Sequence, residues 1–283
     1  MTGPFRDWVG KTQTVAEVIG VGPARAMAAL LDRDAADLRP AASLPFCWHW
    51  FYLHAAVKRS EVGPDGHPRR GGWLPPVPLV RRMWAGSRLR FHAPLCLGEL
   101  AERRSVVESI EEKQGRSGPL VFVRIRHSII GPGGLAVDEE QDLVFRDPPA
   151  PGSAAPAPGG SSDPRSSQFD WSDEITPDSA TLFRYSALTM NGHRIHYDHP
   201  YATQVEGYRG LVVQGPLTAL LLLDAARRRR PTDVATFSFQ ARSPLFVDEP
   251  ITLMGRSTGS DTTVWAAGPD GQTAVQGTIG WRG

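Results

Sequence analysis

The segment Ala93-Pro-Leu-Cys-Leu-Gly-Glu99 is echoed in the second half of the chain by Ser243-Pro-Leu-Phe-Val-Asp-Glu249. Each copy follows a short alternating strand, over 89–91 in one half and 236–239 in the other, and each precedes further strand-like runs. In the first half these cover 120–130 and 135–145, separated by a Gly131-Pro-Gly-Gly134 turn. In the second they cover 251–256, 262–267 and 273–281, with a turn at Pro269-Asp-Gly271. Between the halves, residues 147–167 are rich in Pro, Ala, Gly and Ser and hold no large apolar side chain, so they cannot add to a core and read as a linker. The pattern predicts an N-terminal domain over 1–146 and a C-terminal domain over 168–283, each built on an antiparallel sheet. One short repeat is also compatible with chance, and the turn spacing alone fits an ordinary β-sandwich.

Helices are fewer. Apolar residues Val15, Val18, Ile19, Ala26, Met27 and Leu30 predict a helix over 12–32, broken in two by residues 20–23. For a helix over 179–188, Thr176 offers an N-cap, Pro177 a first helical position and Asp178 an acid in the first turn. Pro216 fits the first turn of a helix over 217–230, which is apolar on several faces and so suited to being wrapped by a sheet.

Composition excludes several classes. The 283 residues carry a formal net charge of +1, with Arg supplying most of the positive charge. A nucleic-acid partner would need a basic stripe to neutralise phosphates, and none is expected. Cys47 and Cys96 make neither a disulfide framework nor a zinc pattern, and a reducing, cytoplasmic setting is the default. The N-terminus lacks the features of a secretory or transit signal, and the most apolar stretch, 211–226, is too short and interrupted to span a bilayer. No membrane association is expected.

Chemistry concentrates in Ser186-Ala-Leu-Thr-Met-Asn-Gly-His-Arg-Ile-His-Tyr-Asp198, followed by Val213-Gln-Gly-Pro216. Asn191, His193, His196 and Asp198 cannot all face a core, so they must face a pocket or water. The segment resembles the hydratase motif of the MaoC-like (R)-specific enoyl-CoA hydratases, a hot-dog-fold family. It is most similar to a subgroup carrying Thr-x-Asn-x-His-Arg-Ile-His-Tyr-Asp, matched by Thr189, Asn191 and residues 193–198. That subgroup comprises mesaconyl-C4-CoA hydratases and type 2 hydroxyacyl-thioester dehydratases. The likeness extends to Gly72-Trp-Leu-Pro-Pro-Val-Pro, to Arg81-Arg-Met-Trp-Ala-Gly86 and to the C-terminal strands.

The resemblance implies an α+β double hot-dog, two antiparallel sheets each wrapped around a helix, with the motif on the C-terminal half and a degenerate N-terminal half supplying the acyl pocket. It implies a hydro-lyase acting on a short enoyl-CoA, with mesaconyl-C4-CoA to citramalyl-CoA favoured. The alternatives are dehydration of a 3-hydroxyacyl chain on acyl carrier protein, a non-catalytic acyl-CoA binding subunit, and a thioesterase on the same fold. No cofactor is expected, coenzyme A entering as part of the substrate. Pairing into a homodimer stays open.

The expected catalytic residues are His196 as proton shuttle, Asn191 to orient the water, and Gly215, whose backbone N–H at a helix N-terminus would polarise the thioester carbonyl. The family normally has Asp where Asn191 stands, and a neutral residue there suits a substrate with a second carboxylate, which Asp would repel. His193, Arg194, Tyr197, Asp198 and Gln214 are candidate substrate contacts, with Arg194 or Arg209 as a partner for that carboxylate. His193 and Asp198 serve equally well as caps or to fix the tautomer of His196. His193, His196 and Asp198 also have a metal-ligand look, but nothing elsewhere completes a shell, and no metal is expected.

Plainer roles suit other features. The aromatic run 46–52 reads first as core or inter-domain packing, Arg227 to Arg230 as a complement to a helix C-terminus, and Arg81-Arg82-Met-Trp84 as either an adenine contact or a half-to-half interface.

Overall fold

The computed structural model describes residues 4–115, 118–148 and 169–283. Apart from Asp147 and Pro148, the expected linker lies outside them; Asp147 accepts a hydrogen bond from the Val80 N–H at 3.0 Å.

Both halves place a strand and a short helix before their remaining strands. The first half has β1 (Thr12–Val18), α1 (Val21–Leu30), β2 (Arg81–Phe91), β3 (Leu100–Gly115), β4 (Gly118–Gly131) and β5 (Gly134–Arg146). The second has β6 (Trp171–Ile175), α2 (Ser179–Leu188), α3 (Gly215–Arg229), β7 (Val234–Ala241), β8 (Ile251–Thr258), β9 (Asp261–Ala267) and β10 (Thr273–Trp281). Their strands form one continuous antiparallel sheet in the order β1-β3-β4-β5-β2-β7-β10-β9-β8-β6, so the two sheets expected from the sequence are joined edge to edge. The seam pairs Gly86 with Gln240, Leu89 with Phe237 and Arg90 with Thr236. No described helix is long and apolar enough to cross a membrane.

The sequence echo is a structural echo. His92 N–H bonds the Ala136 carbonyl at 2.8 Å and Arg242 N–H bonds the Ala274 carbonyl at 2.7 Å, while Leu97 to Ala42 and Val247 to Leu211 repeat a second contact. Gly98 and Asp248 occupy the same place in the two copies with φ of +90° and +60°, a left-handed corner that favours Gly and tolerates Asp.

Two local expectations change. Residues 12–18 form a strand rather than a helix, because Thr12, Thr14, Val15 and Val18 are β-branched and lie along β3 as an edge strand. Helix α2 has the expected span, but its cap is Asp178, whose side chain accepts from the Thr181 N–H at 2.7 Å, not Thr176.

The halves diverge at one point. Leu44 N–H bonds the Leu95 carbonyl at 2.7 Å, as Val213 N–H bonds the Leu245 carbonyl at 2.8 Å. After Val213 the chain enters α3, whose Leu217, Ala219, Leu222 and Ala225 are fully buried against β8, β9 and β10. After Leu44 comes only a single turn, Trp48–Phe51, entered through Cys47 in the left-handed region at φ +66°. Only the C-terminal half therefore wraps a long helix; in the other half the aromatic run 46–52 takes that place, with Trp48, Phe51 and Tyr52 buried in the common core.

Candidate active site

The space left by the missing helix is part of a cavity of about 1350 Å³ that runs between the halves. Asn191, His193, His196 and Gly215 line it from the C-terminal half; His49, His67, Arg82 and Glu139 line it from the N-terminal half.

The motif loop follows α2 and is held in shape by its own backbone. Asn191 N–H bonds the Ser186 carbonyl at 2.9 Å, and the Asn191 Oδ1 accepts from the His193 N–H at 3.2 Å, an Asx-type turn leading into the single turn Arg194–His196. With that oxygen engaged, the Asn191 amide NH₂ is left as a donor.

His196 is buried, and its Nδ1 lies 2.7 Å from the Val212 carbonyl oxygen. A carbonyl only accepts, so Nδ1 carries the proton and Nε2 carries the lone pair, with no hydrogen-bond partner among the described residues. Burial, and then the neighbouring His193, push the imidazole down to about 3, against the pull of the Val212 bond. It is therefore neutral near neutral pH, with its lone pair at Nε2. His193 stands edge-on to it, ring centres 5.6 Å apart, and is fixed by Glu206, whose Oε1 lies 2.7 Å from His193 Nε2.

Gly215 opens α3, with Pro216 behind it and Gln214 at the cap. Its N–H has no hydrogen-bond partner among the described residues, which leaves a free donor at the positive end of a 15-residue helix on the cavity wall.

The other motif residues are drawn elsewhere. Arg194 is paired with Asp198 through Nε at 2.9 Å and Nη2 at 2.6 Å and bonds the Pro64 carbonyl, so its charge is spent outside the cavity. Asp198 also accepts from the Tyr201 N–H at 3.1 Å. Tyr197 is half exposed and bonds the Gly192 carbonyl. Gln214 is fully buried, its amide held between the Leu182 carbonyl and Ser186 Oγ, both at 2.9 Å. These four brace the loop and helix start and do not line the cavity. Arg209 does line its rim, in a two-pronged ion pair with Glu249.

Several lining residues have no local sequence signal. The segment around Gly66 docks on the motif loop so closely that a Cβ on Gly66, at φ +88°, would stand 1.8 Å from the Gly192 carbonyl oxygen. This docking brings His67 to 4.7 Å from His193, ring centre to ring centre. Deeper in, Glu139 is buried and accepts from Trp50 Nε1 at 3.0 Å and Ser87 Oγ at 2.6 Å, with His49 Nε2 at 3.2 Å. Burial alone would raise that carboxyl, but the bond and charge of His49 hold it below its usual range. Burial also takes His127 and His54 on the same wall down to about 4, so both are neutral near pH 7. Of the segments singled out earlier, Arg81 bonds the Glu206 carbonyl through Nε at 2.9 Å and joins the halves, while Trp84 Nε1 bonds Ser87 Oγ at 2.9 Å. Cys47 is fully buried and its thiol is pushed up by that burial, which holds it in the protonated form.

Taken as chemistry, the site offers a neutral imidazole with a free lone pair, an amide donor beside it, and an unpaired backbone N–H at a helix start. These are the parts needed to add or remove water across a double bond conjugated with a thioester.

Comparison with known proteins agrees. A mesaconyl-C(4)-CoA hydratase from Chloroflexus aurantiacus is 45% identical over 276 residues, covering 96% of each chain. Among solved structures, a MaoC-like dehydratase superposes with a TM-score of 0.74 at 16% identity, covering 98% of this chain and 99% of its own. A Mycobacterium tuberculosis protein described as having a double hot-dog fold superposes at 0.55 and 17%, covering 98% and 97%. The family model for hydroxyacyl-thioester dehydratase type 2 matches residues 47–247. The fold is the double hot-dog, the activity is that of a hydro-lyase, and the chain belongs to the hydroxyacyl-thioester dehydratase type 2 family.

Proposed function

We propose that this enzyme hydrates a short, branched dicarboxylic enoyl-CoA, with mesaconyl-C4-CoA going to citramalyl-CoA as the favoured reaction. The observation that carries this reading is the set of buried polar groups on the cavity wall: His49, His54, His127 and Glu139 stand among apolar neighbours such as Trp50, Ile129 and Leu143, and a purely alkyl chain would leave them unmatched. The mesaconyl-C(4)-CoA hydratase of C. aurantiacus, with its 45% identity, supports the substrate class.

In the hydration direction, His196 Nε2 takes a proton from water as the water oxygen bonds to the β-carbon. The π electrons pass to the thioester oxygen, where the Gly215 N–H stabilises the developing enolate, and the α-carbon then takes the proton back from the imidazolium. Asn191 presents its amide beside the β-carbon, which donates to a substrate carboxylate where Asp would repel it. No cofactor is required; coenzyme A arrives as part of the substrate.

The test is absorbance at the enoyl-thioester band across mesaconyl-C4-CoA, crotonyl-CoA and longer enoyl-CoAs, with free thiol followed in parallel. The expected result is loss of the band on mesaconyl-C4-CoA without thiol release. Thiol release would indicate a thioesterase, and preference for long chains would refute the dicarboxylic reading. Asn191→Asp should lower activity on mesaconyl-C4-CoA by about a hundredfold, as two like charges about 5 Å apart repel by roughly 3 kcal/mol at an effective dielectric near 20, while sparing crotonyl-CoA.

A further inference from the structure

A second carboxylate on the substrate needs a cation inside the cavity, and the arginines first suggested for it are already paired. Arg194 is held by Asp198 and Arg209 by Glu249; Arg81, also on the cavity wall, is taken up by the Glu206 carbonyl and the face of Tyr208, 4.2 Å from its guanidinium. Arg103, also on the cavity wall, makes no hydrogen bond or ion pair among the described residues and its Nε is buried without a partner, but Glu139 offsets its charge.

Arg82 differs from the paired arginines, and from Arg103 in that the carboxylate acting on it, Asp65, is shared with Arg70. It is 8% exposed, it lines the cavity, and its side chain makes neither a hydrogen bond nor an ion pair within 4.0 Å among the described residues. The carboxylate nearest in effect is Asp65, but Asp65 already accepts from the His67 N–H at 3.0 Å and lies 3.7 Å from Arg70. Two guanidinium groups thus share one carboxylate, leaving a surplus positive charge beside the cavity. Burial draws Arg82 down to about 10, with Asp65 opposing, so it stays charged at neutral pH. A buried guanidinium with its planar fork of donors unused is costly unless an anion or water takes them up.

Its position suits the chemistry. After burial, Arg82 has the largest effect on His67, which packs on His193, which in turn stands against His196. In a mesaconyl-type substrate the free carboxylate is bonded to the carbon that receives the hydroxyl, so it must lie only a few ångströms from the reacting water and from His196. Arg82 and His196 line the same cavity, Arg82 from the N-terminal half and His196 from the C-terminal half.

We propose that Arg82 is the receptor for the free carboxylate of the acyl group and sets the preference for dicarboxylic over monocarboxylic enoyl thioesters. This assignment rests on the dicarboxylic reading above. It names a specificity residue contributed by the N-terminal half to a reaction performed by the C-terminal half.

The experiment compares wild type, Arg82→Gln and Arg82→Lys, using competitive inhibition by succinyl-CoA, which carries a carboxylate at matching reach, and by butyryl-CoA, which carries none. Loss of a two-pronged charged contact is worth about a hundredfold, so Arg82→Gln should raise the succinyl-CoA inhibition constant by about that factor and move that of butyryl-CoA by less than about threefold. Arg82→Lys, a point charge without the fork, should fall between. Melting temperature identifies a variant that has failed to fold, and Arg82→Lys then carries the comparison. If both inhibitors weaken together, Arg82 holds coenzyme A or the fold; if neither moves, it meets no ligand; either result overturns the assignment. Failure of the parent reading shows separately, as a wild-type enzyme that does not hydrate mesaconyl-C4-CoA.

Discussion

The two halves share a strand order, a corner and a set of backbone hydrogen bonds, and they part at Leu44 and Val213. In one half that corner leads into Gly215-Pro216 and 15 residues of helix; in the other, Pro45, Phe46 and Cys47 lead into a single turn. The lost helix leaves room, and the room is walled by polar groups held by one another, with Glu139 at their centre. A duplicated fold can thus divide its labour: the half that keeps its helix keeps the free N–H and the proposed base, His196, and the half that loses it gains a pocket.

Four measurements bear on that division, the largest expected effect first. His196→Ala should cost about 10² to 10⁴ in kcat, since a positioned acid or base supplies that much, with melting temperature little changed. Turnover near that of wild type in a folded variant would move the base to the other half, with His67 the next histidine to examine.

Acid should then weaken the fold through both halves. His196 is held down to about 3, and His54 and His127 to about 4, so between about pH 6.5 and 4 the unfolded chain binds protons that the folded chain refuses. Stability is full above about 6.5 and falls as pH drops, by about 2 kcal/mol for each ring near pH 5. Chemical denaturation from pH 7.5 to 5 measures this slope, and a flat profile would show that these rings protonate freely in the native state.

Glu139→Gln tests whether the polar pocket is a structural unit. Exchanging a buried carboxylate that serves His49, Trp50 and Ser87 should cost about 3 kcal/mol in urea unfolding. The expected fall in kcat is smaller, under about tenfold, because the proton transfers lie in the other half. A larger loss in rate than in stability would bring Glu139 into the chemistry.

The smallest effect is expected of Gly66→Ala, at about 2 kcal/mol, from a left-handed backbone and a Cβ forced against Gly192. Thermal unfolding and KM together check it; unchanged values in both would mean that the halves do not need this contact to form the site.

The sequence discloses the second half more readily than the first, for physical reasons. Strands with period-two patterns, helix α3 with Pro216 in its first turn and the Asn191 to Asp198 motif are local features, each contained in about a dozen residues. Residues 12–18 mislead because Val15 and Val18 happen to fall at helical spacing, although their β-branching and that of Thr12 and Thr14 suit an edge strand. Glu139, His49 and Ser87 come from three distant segments and meet only across the folded sheet, so no spacing announces them. The Asp65-Gly66-His67 turn was the one available hint of the docked loop: a Gly between polar residues, where a backbone must come close to another. Arg81 and Arg82 both line the cavity, and only the fold shows that Arg81 is taken up by the Glu206 carbonyl while Arg82 is left without a partner among the described residues.

The seam between β2 and β7, Gly86 through Arg90 against Thr236 through Gln240, has a consequence for traffic through the enzyme. A hydrogen-bonded ladder does not swing, because each rung breaks at full cost before the next can follow. The substrate therefore cannot be captured by two lobes closing like a jaw; the acyl group has to be threaded past the rim into a room whose walls are already in place. In such an enzyme selection can begin at the doorway, where the paired Arg209 and Glu249 stand among the posts.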